Sequence, residues 1–252
     1  MTDATRREFF ASAAGFALLG AGTARSGTAL AADAPGALKA RPFEGNHAPV
    51  QLPFDPKSLK GISEKLIVSH WENNYGGAVK ALNTLRGRLA QAVADANTPP
   101  YVYTGLKREQ LLRTGSVVLH EYYFANLGGD GKASTAARQL IAESFGTFDA
   151  WENEFRKIGA GLGGGSGWVM LGHNRRLDLL ENHWMADHAT APADTTPILI
   201  MDMYEHAYQM DYGAAAAKYI DAFFANIHWD NVVARLEAAT HRGRGTALSE
   251  GQ

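Results

Sequence analysis

The sequence predicts an α+β fold: a long N-terminal α-hairpin domain followed by a C-terminal α/β domain with a small three-stranded antiparallel sheet. Three observations predict it. Two segments, 62–96 and 107–127, carry apolar residues at helical spacing and are joined across Pro99-Pro100. Gly128-Gly129-Asp130-Gly131 then breaks the chain. Beyond the break, Trp168-Val169-Met170-Leu171, Leu177-Asp178-Leu179-Leu180 and Ile198-Leu199-Ile200-Met201 are short apolar runs that read as strands.

The elements follow in order. Thr5-Arg6-Arg7-Glu8-Phe9-Phe10 precedes a short, weakly apolar stretch over 11–20, the pattern of a twin-arginine export signal. That stretch is too short to span a bilayer. Ala29-Leu30-Ala31 offers a small-x-small cleavage site, so 1–31 reads as the signal peptide and the mature chain as beginning at Ala32. Residues 32–51, rich in Pro, Ala and Gly, read as an extended lead, 52–130 as the hairpin domain and 131–240 as the α/β domain. Within the latter, Thr147-Phe148-Asp149-Ala150-Trp151-Glu152 has the polar start of a helix, and 214–239 returns to helix. Residues 241–252 read as a flexible tail.

Composition narrows the chemistry. With no cysteine among 252 residues, the chain can neither rely on disulfides in an oxidising compartment nor offer a thiolate to a metal. A net charge of −2 without a long basic cluster argues against nucleic acid as partner. After cleavage of the signal, no membrane anchor is expected and the location is periplasmic or otherwise exported.

The histidines and one aspartate carry the functional signal. Asp202 and His206 follow the apolar run 197–201, where a buried strand ends, and open strand ends are where α/β proteins build sites. Taken alone, such a pair is more often an Asp capping the next turn beside an ordinary half-buried His. His70, in Leu66-Ile67-Val68-Ser69-His70-Trp71, and His120, in Val117-Val118-Leu119-His120-Glu121, each lie on apolar helical segments. A single such His is usually a satisfied core residue, but three imidazoles and one carboxylate together suit a mononuclear site with one open position.

At these positions the chain resembles the iron/manganese superoxide dismutase family, in register from about Leu52 to Ala239. Leu52-Pro53-Phe54 with Ile62-Ser63, His70 with Asn83, Ser144-Phe145-Gly146-Thr147-Phe148, Gly165-Ser166-Gly167-Trp168 and Asp202-x-x-Glu205-His206-Ala207-Tyr208 carry the resemblance in order. It implies that His70, His120, Asp202 and His206 ligate one iron or manganese ion between the two domains. It also implies that the chain converts superoxide to oxygen and hydrogen peroxide by redox cycling of that ion. Glu205 resembles the carboxylate that crosses to the last His ligand of the other subunit, so a homodimer is expected. Trp168 resembles the family's tryptophan beside the metal. Trp71, Tyr122, Tyr123, Phe124 and Trp184 are candidates for the same dry shell, or for ordinary core.

Departures from the family's pattern mark the substrate channel. Its gateway tyrosine position holds Ala78, and Asn74 and Gln209 stand where a histidine and a tyrosine are usual. Tyr75 is the candidate replacement at the gateway. Ser116 occupies the helical position of the outer glutamine that bonds the metal's solvent, and His188 is the candidate to replace that glutamine, which favours iron. The alternative that these departures raise is a metal-binding relative with low dismutase activity and another redox role.

Overall fold

A computed structural model of the chain describes residues 40–245, with side chains as far as residue 240. The signal peptide expected over 1–31 lies outside the described residues. The chain from Ala40 reaches the first long helix through two 3-10 turns, Arg41–Phe43 and Pro56–Ser58.

The hairpin begins where Ser63 caps a helix, its hydroxyl accepting the Leu66 N–H. Helix α1, Glu64–Ser69, passes into a π turn, His70–Tyr75, and then into α2, Gly76–Ala94. The sequence leads one to expect an unbroken α-helix here; instead the Gly76 N–H bonds the Trp71 carbonyl, five residues back. Helix α3, Pro100–Ala125, starts seven residues earlier than apolar spacing indicates, because Pro100 at its first position needs no hydrogen-bond partner. α2 and α3 pack as the predicted hairpin.

After the glycine break come α4, Thr135–Phe145, and α5, Phe148–Leu162, capped by Ser134 and Thr147 as their sequences require. The sheet has β1 (Trp168–Asn174) in the centre, paired antiparallel with β2 (Leu179–Met185) and β3 (Thr195–Asp202). The second strand lies later than its apolar run: Asp178 adopts a left-handed φ of 50° in the turn, so pairing begins at Leu179. Trp184 on this strand is 58% exposed, which removes it from the expected dry shell.

A 3-10 turn, Glu205–Ala207, and α6, Gln209–Tyr212, follow β3. The single helix expected over 214–239 is two helices, α7 (Ala216–Phe224) and α8 (Trp229–Gly245). The break is used: the Asn226 side chain bonds both backbone groups of Lys60, and the His228 N–H bonds the Asn126 carbonyl. α8 continues through Gly245, into the stretch expected as a flexible tail, and the rest of that stretch lies outside the described residues. The described residues fall in one compact unit.

One core spans both halves. Trp151, Phe155, Trp168, Tyr219 and Phe223 are fully buried in it. Buried Asn126 links hairpin to sheet by donating from Nδ2 to the Ile200 carbonyl at 2.8 Å. The loop after β2 lies directly on α3: a Cβ at Gly115 would stand 1.7 Å from the His188 carbonyl oxygen. Only a glycine permits this approach. Gly115→Ala must push the loop away, and we expect a loss of about 1–3 kcal/mol from the strain of overpacking. Urea denaturation measures it; an unchanged midpoint would show that the loop rides free of α3.

Candidate metal centre

Four elements deliver one residue each. The π turn presents His70, α3 presents His120, Asp202 is the last residue of β3, and His206 sits in the 3-10 turn that follows. Their candidate ligand atoms all lie within 4.8 Å of one another. Asp202 is the hub: its Oδ2 stands 3.1 Å from His70 Nε2, 3.2 Å from His206 Nε2 and 3.7 Å from His120 Nε2. Its other oxygen, Oδ1, accepts the Tyr204 N–H at 2.8 Å, which fixes the orientation of the carboxylate.

The electrostatics of this cluster follow from burial. Asp202 is fully buried, which alone would raise its pKa, yet the His206 and His70 imidazoles hold it well below the usual carboxylate range. Burial lowers His70, and lowers His120 to about 3, so both rings are neutral with lone pairs available. For His206 the Asp202 carboxylate outweighs burial and raises it. The Nδ1–H of His120 donates to the Ser116 carbonyl at 2.7 Å, leaving Nε2 as the lone pair on the Asp202 side.

These residues fit a metal ion. Nε2 of both His70 and His120 is buried without a hydrogen-bond partner, an arrangement that costs free energy unless something binds there. Ligand atoms about 2.1 Å from a common ion stand roughly 3.0–3.6 Å apart at angles of 90–120°, close to the separations found. Three imidazoles with one carboxylate suit a borderline transition metal.

A second layer surrounds the cluster. Trp168, fully buried, donates its Nε1–H to His188 Nδ1 at 3.0 Å, so the remaining proton of a neutral His188 is on Nε2. The His188 ring lies 6.0 Å from that of His120 and stacks on Tyr204 at 4.8 Å, while Tyr204 stacks on His206 at 5.3 Å. Burial lowers His188. Phe124 and Tyr123 close the side of His70 at 5.1 and 5.2 Å.

Tyr75 is buried, with its ring 6.2 Å from His120. Its hydroxyl accepts the Val50 N–H and donates to Glu121 Oε1, each at 2.8 Å, and burial pushes it up to about 12. Both of its hydrogen-bonding roles are filled away from the four donor atoms, contrary to its expected reach into the opening. Glu205 is exposed beside His206, Gln209 is exposed, and Ala78 is buried in the core. Ser116 touches the cluster chiefly through its backbone oxygen.

Sequence reasoning missed Tyr204, which stands inside the Asp202–His206 segment but reveals its stacking only in three dimensions. It also missed His47, an isolated residue of the lead whose Nε2 donates to Glu121 Oε1 at 2.8 Å.

Comparison with known proteins agrees with this geometry. Residues 133–235 match the family model for iron/manganese superoxide dismutases, C-terminal domain. An iron superoxide dismutase of Cupriavidus metallidurans is 50% identical over 188 residues, covering 75% of this chain and 95% of the relative. One from Aquifex aeolicus, also named for iron, is 37% identical over 195 residues, covering 73% and 88%. A manganese superoxide dismutase of Haloferax volcanii is 29% identical over 193 residues, covering 75% and 94%. With so much of each chain aligned and the His70, His120, Asp202 and His206 cluster assembled, this protein belongs to the iron/manganese superoxide dismutase family.

Proposed function

We propose that this chain is a superoxide dismutase in which His70, His120, Asp202 and His206 hold one iron or manganese ion between the hairpin and the sheet. The observation that carries the reading is the buried Asp202 oxygen faced by three imidazole nitrogens, two of them otherwise unpartnered. Bound there, the ion supplies the one-electron couple that oxidises one superoxide and reduces the next. The name of the 50% identical relative favours iron, and manganese remains within the family's range.

The protein's own residues supply the rest. His188 Nε2–H is the donor that would hold and orient solvent or superoxide beside the ion, because Trp168 occupies Nδ1. Tyr204 keeps that ring in place by stacking and continues to His206. With Tyr75 turned to Glu121, we assign it to positioning rather than to the gateway. Glu205, exposed beside His206, is the residue that would reach a second subunit in a homodimer. Export by the twin-arginine route to the periplasm would let the chain fold and load its metal before crossing the membrane. No helix among the described residues is long and apolar enough to cross a membrane.

Mature protein from the periplasmic fraction should begin at Ala32, carry close to one ion per chain, and consume superoxide rapidly after matched loading with iron or manganese. His120→Ala should lose the ion. Full occupancy with negligible turnover on both metals would instead establish the low-activity relative, which the 50% identity to a named dismutase does not favour.

His188→Ala should shift the visible spectrum and potential of the bound ion while leaving metal content intact; an unaltered spectrum would exclude His188 from this role. In sedimentation the mature chain should be a dimer that Glu205→Ala weakens at least tenfold, the loss of about 1.4 kcal/mol expected for one charge-assisted contact. A monomeric wild-type chain would remove the dimer.

A further inference from the structure

The lead was expected only to be extended, and the resemblance to the family begins after it, at about Leu52. In the fold its residues 44–50 are bonded to both helices of the hairpin. Against α2, the His47 N–H donates to Asn83 Oδ1 at 3.0 Å, and Asn83 Nδ2 donates back to the His47 carbonyl at 2.9 Å. Arg86 donates to the Glu44 carbonyl at 2.9 Å. Gly45 lies so close that a Cβ there would stand 2.5 Å from the Asn83 carbonyl oxygen. This is a fixed segment, because its backbone is hydrogen-bonded at successive points.

Its far side points into the second layer of the metal centre. Glu121 Oε1 accepts from His47 Nε2 and from the Tyr75 hydroxyl, each at 2.8 Å. Val50 closes the circuit: its N–H donates to the Tyr75 hydroxyl at 2.8 Å, and its carbonyl accepts from Trp71 Nε1 at 2.9 Å. One carboxylate oxygen, one phenol, one imidazole and one peptide thus lock together. Glu121 is the next residue after His120, and the Tyr75 ring lies 6.2 Å from His120 and 6.0 Å from Phe124. Phe124 in turn packs on His70 at 5.1 Å. Tyr75 and Glu121 have little freedom while both hold the lead, since each polar atom of this half-buried circuit would lose a partner by moving.

We propose that residues 44–50 form a strap that holds His120 in its ligating orientation through Glu121 and Tyr75, with His47 as a positioning residue. The strap makes a segment that precedes the motifs of the resemblance part of the metal centre. It rests on the assignment of His120 as a ligand. Ligand orientation imposed from the surrounding shell governs how tightly an ion is kept, and losing one such partner commonly weakens retention about 10–100-fold.

The test uses the full mature chain loaded with iron. His47→Leu removes the imidazole donor. His47→Gln keeps an N–H that can reach Glu121. Arg86→Leu removes one outer anchor of the lead at Glu44 and leaves the His47–Glu121 and Val50–Tyr75 bonds in place. Two readouts are taken below the unfolding transition: the rate of iron loss to a chelator and the electron paramagnetic resonance spectrum of the ferric protein. We expect His47→Leu to lose iron about tenfold faster with an altered spectrum, and His47→Gln and Arg86→Leu to resemble the wild type in both.

A lower melting temperature for His47→Leu with unchanged iron loss and spectrum would reduce the strap to a clamp on the fold and overturn the proposal. Equal effects of His47→Leu and Arg86→Leu would overturn it as well. If His47→Leu does not fold, Tyr75→Phe, which deletes only the hydroxyl, is read in the same way against the same wild type. A wild-type chain that binds neither iron nor manganese overturns the ligand assignment itself. A wild-type chain that binds iron while His47→Leu matches it overturns the strap alone.

Discussion

A buried carboxylate that stays ionised is the constraint on which this structure depends. Asp202 has no exposed surface, and removing an anion from water costs several kcal/mol unless positive charge or donors replace the solvent. The fold assembles the replacement from distant parts of the chain: His70 from the hairpin's first helix, His206 from the turn after β3, and His120 from α3. Neutral His70 and His120 cannot balance the charge by themselves, as burial keeps protons off them. A cation at the shared focus of these atoms satisfies the carboxylate and the two unpartnered Nε2 atoms at once.

Helix α3 is the element that organises the rest, through residues spaced by one helical turn. Ser116, His120 and Phe124 stand four apart: the carbonyl of the first accepts the Nδ1–H of the second, and the third stacks on it at 6.1 Å. One residue away on either side, Gly115 admits the His188 backbone and Glu121 receives the strap. A single helix thereby sets His120, its tautomer, the approach of the His188 loop and the connection to the lead. The opposite wall is equally fixed: the Asp202 carbonyl accepts the Tyr219 hydroxyl at 2.7 Å, and Met203 N–H bonds the Gly167 carbonyl at 3.0 Å.

The four clustered residues were legible because each sits in a local pattern with its own meaning: His70 and His120 on apolar helical faces, Asp202 and His206 at a strand end. The hairpin and the three strands were legible from period and punctuation. Trp168 and His188, both read from motifs that flank the sheet, meet in the fold through a 3.0 Å hydrogen bond. What was not legible depends on contacts between segments. Nothing local distinguishes His47 from a surface histidine, since its value lies in reaching Glu121, 74 residues away. Tyr75 was singled out correctly as unusual, yet its direction was missed because the partners that turn it, Val50 and Glu121, come from other elements. The split between α7 and α8 escaped notice for the same reason: Asn226 and His228 are non-helical to serve Lys60 and Asn126.

The π turn explains how one helix turns both His70 and Tyr75 to the interior. In an α-helix residues five apart point about 140° away from each other, so His70 and Tyr75 could not both face the interior. Widening the turn to an i→i+5 bond, seen between Trp71 and Gly76, brings the fifth residue back toward the first. His70 and Tyr75 are the two residues of this turn that are buried. The wider turn is intrinsically less favourable than α-helix, so it persists because neighbouring contacts fix it: His70 to Asp202 on one side, Tyr75 and Trp71 to Val50 on the other.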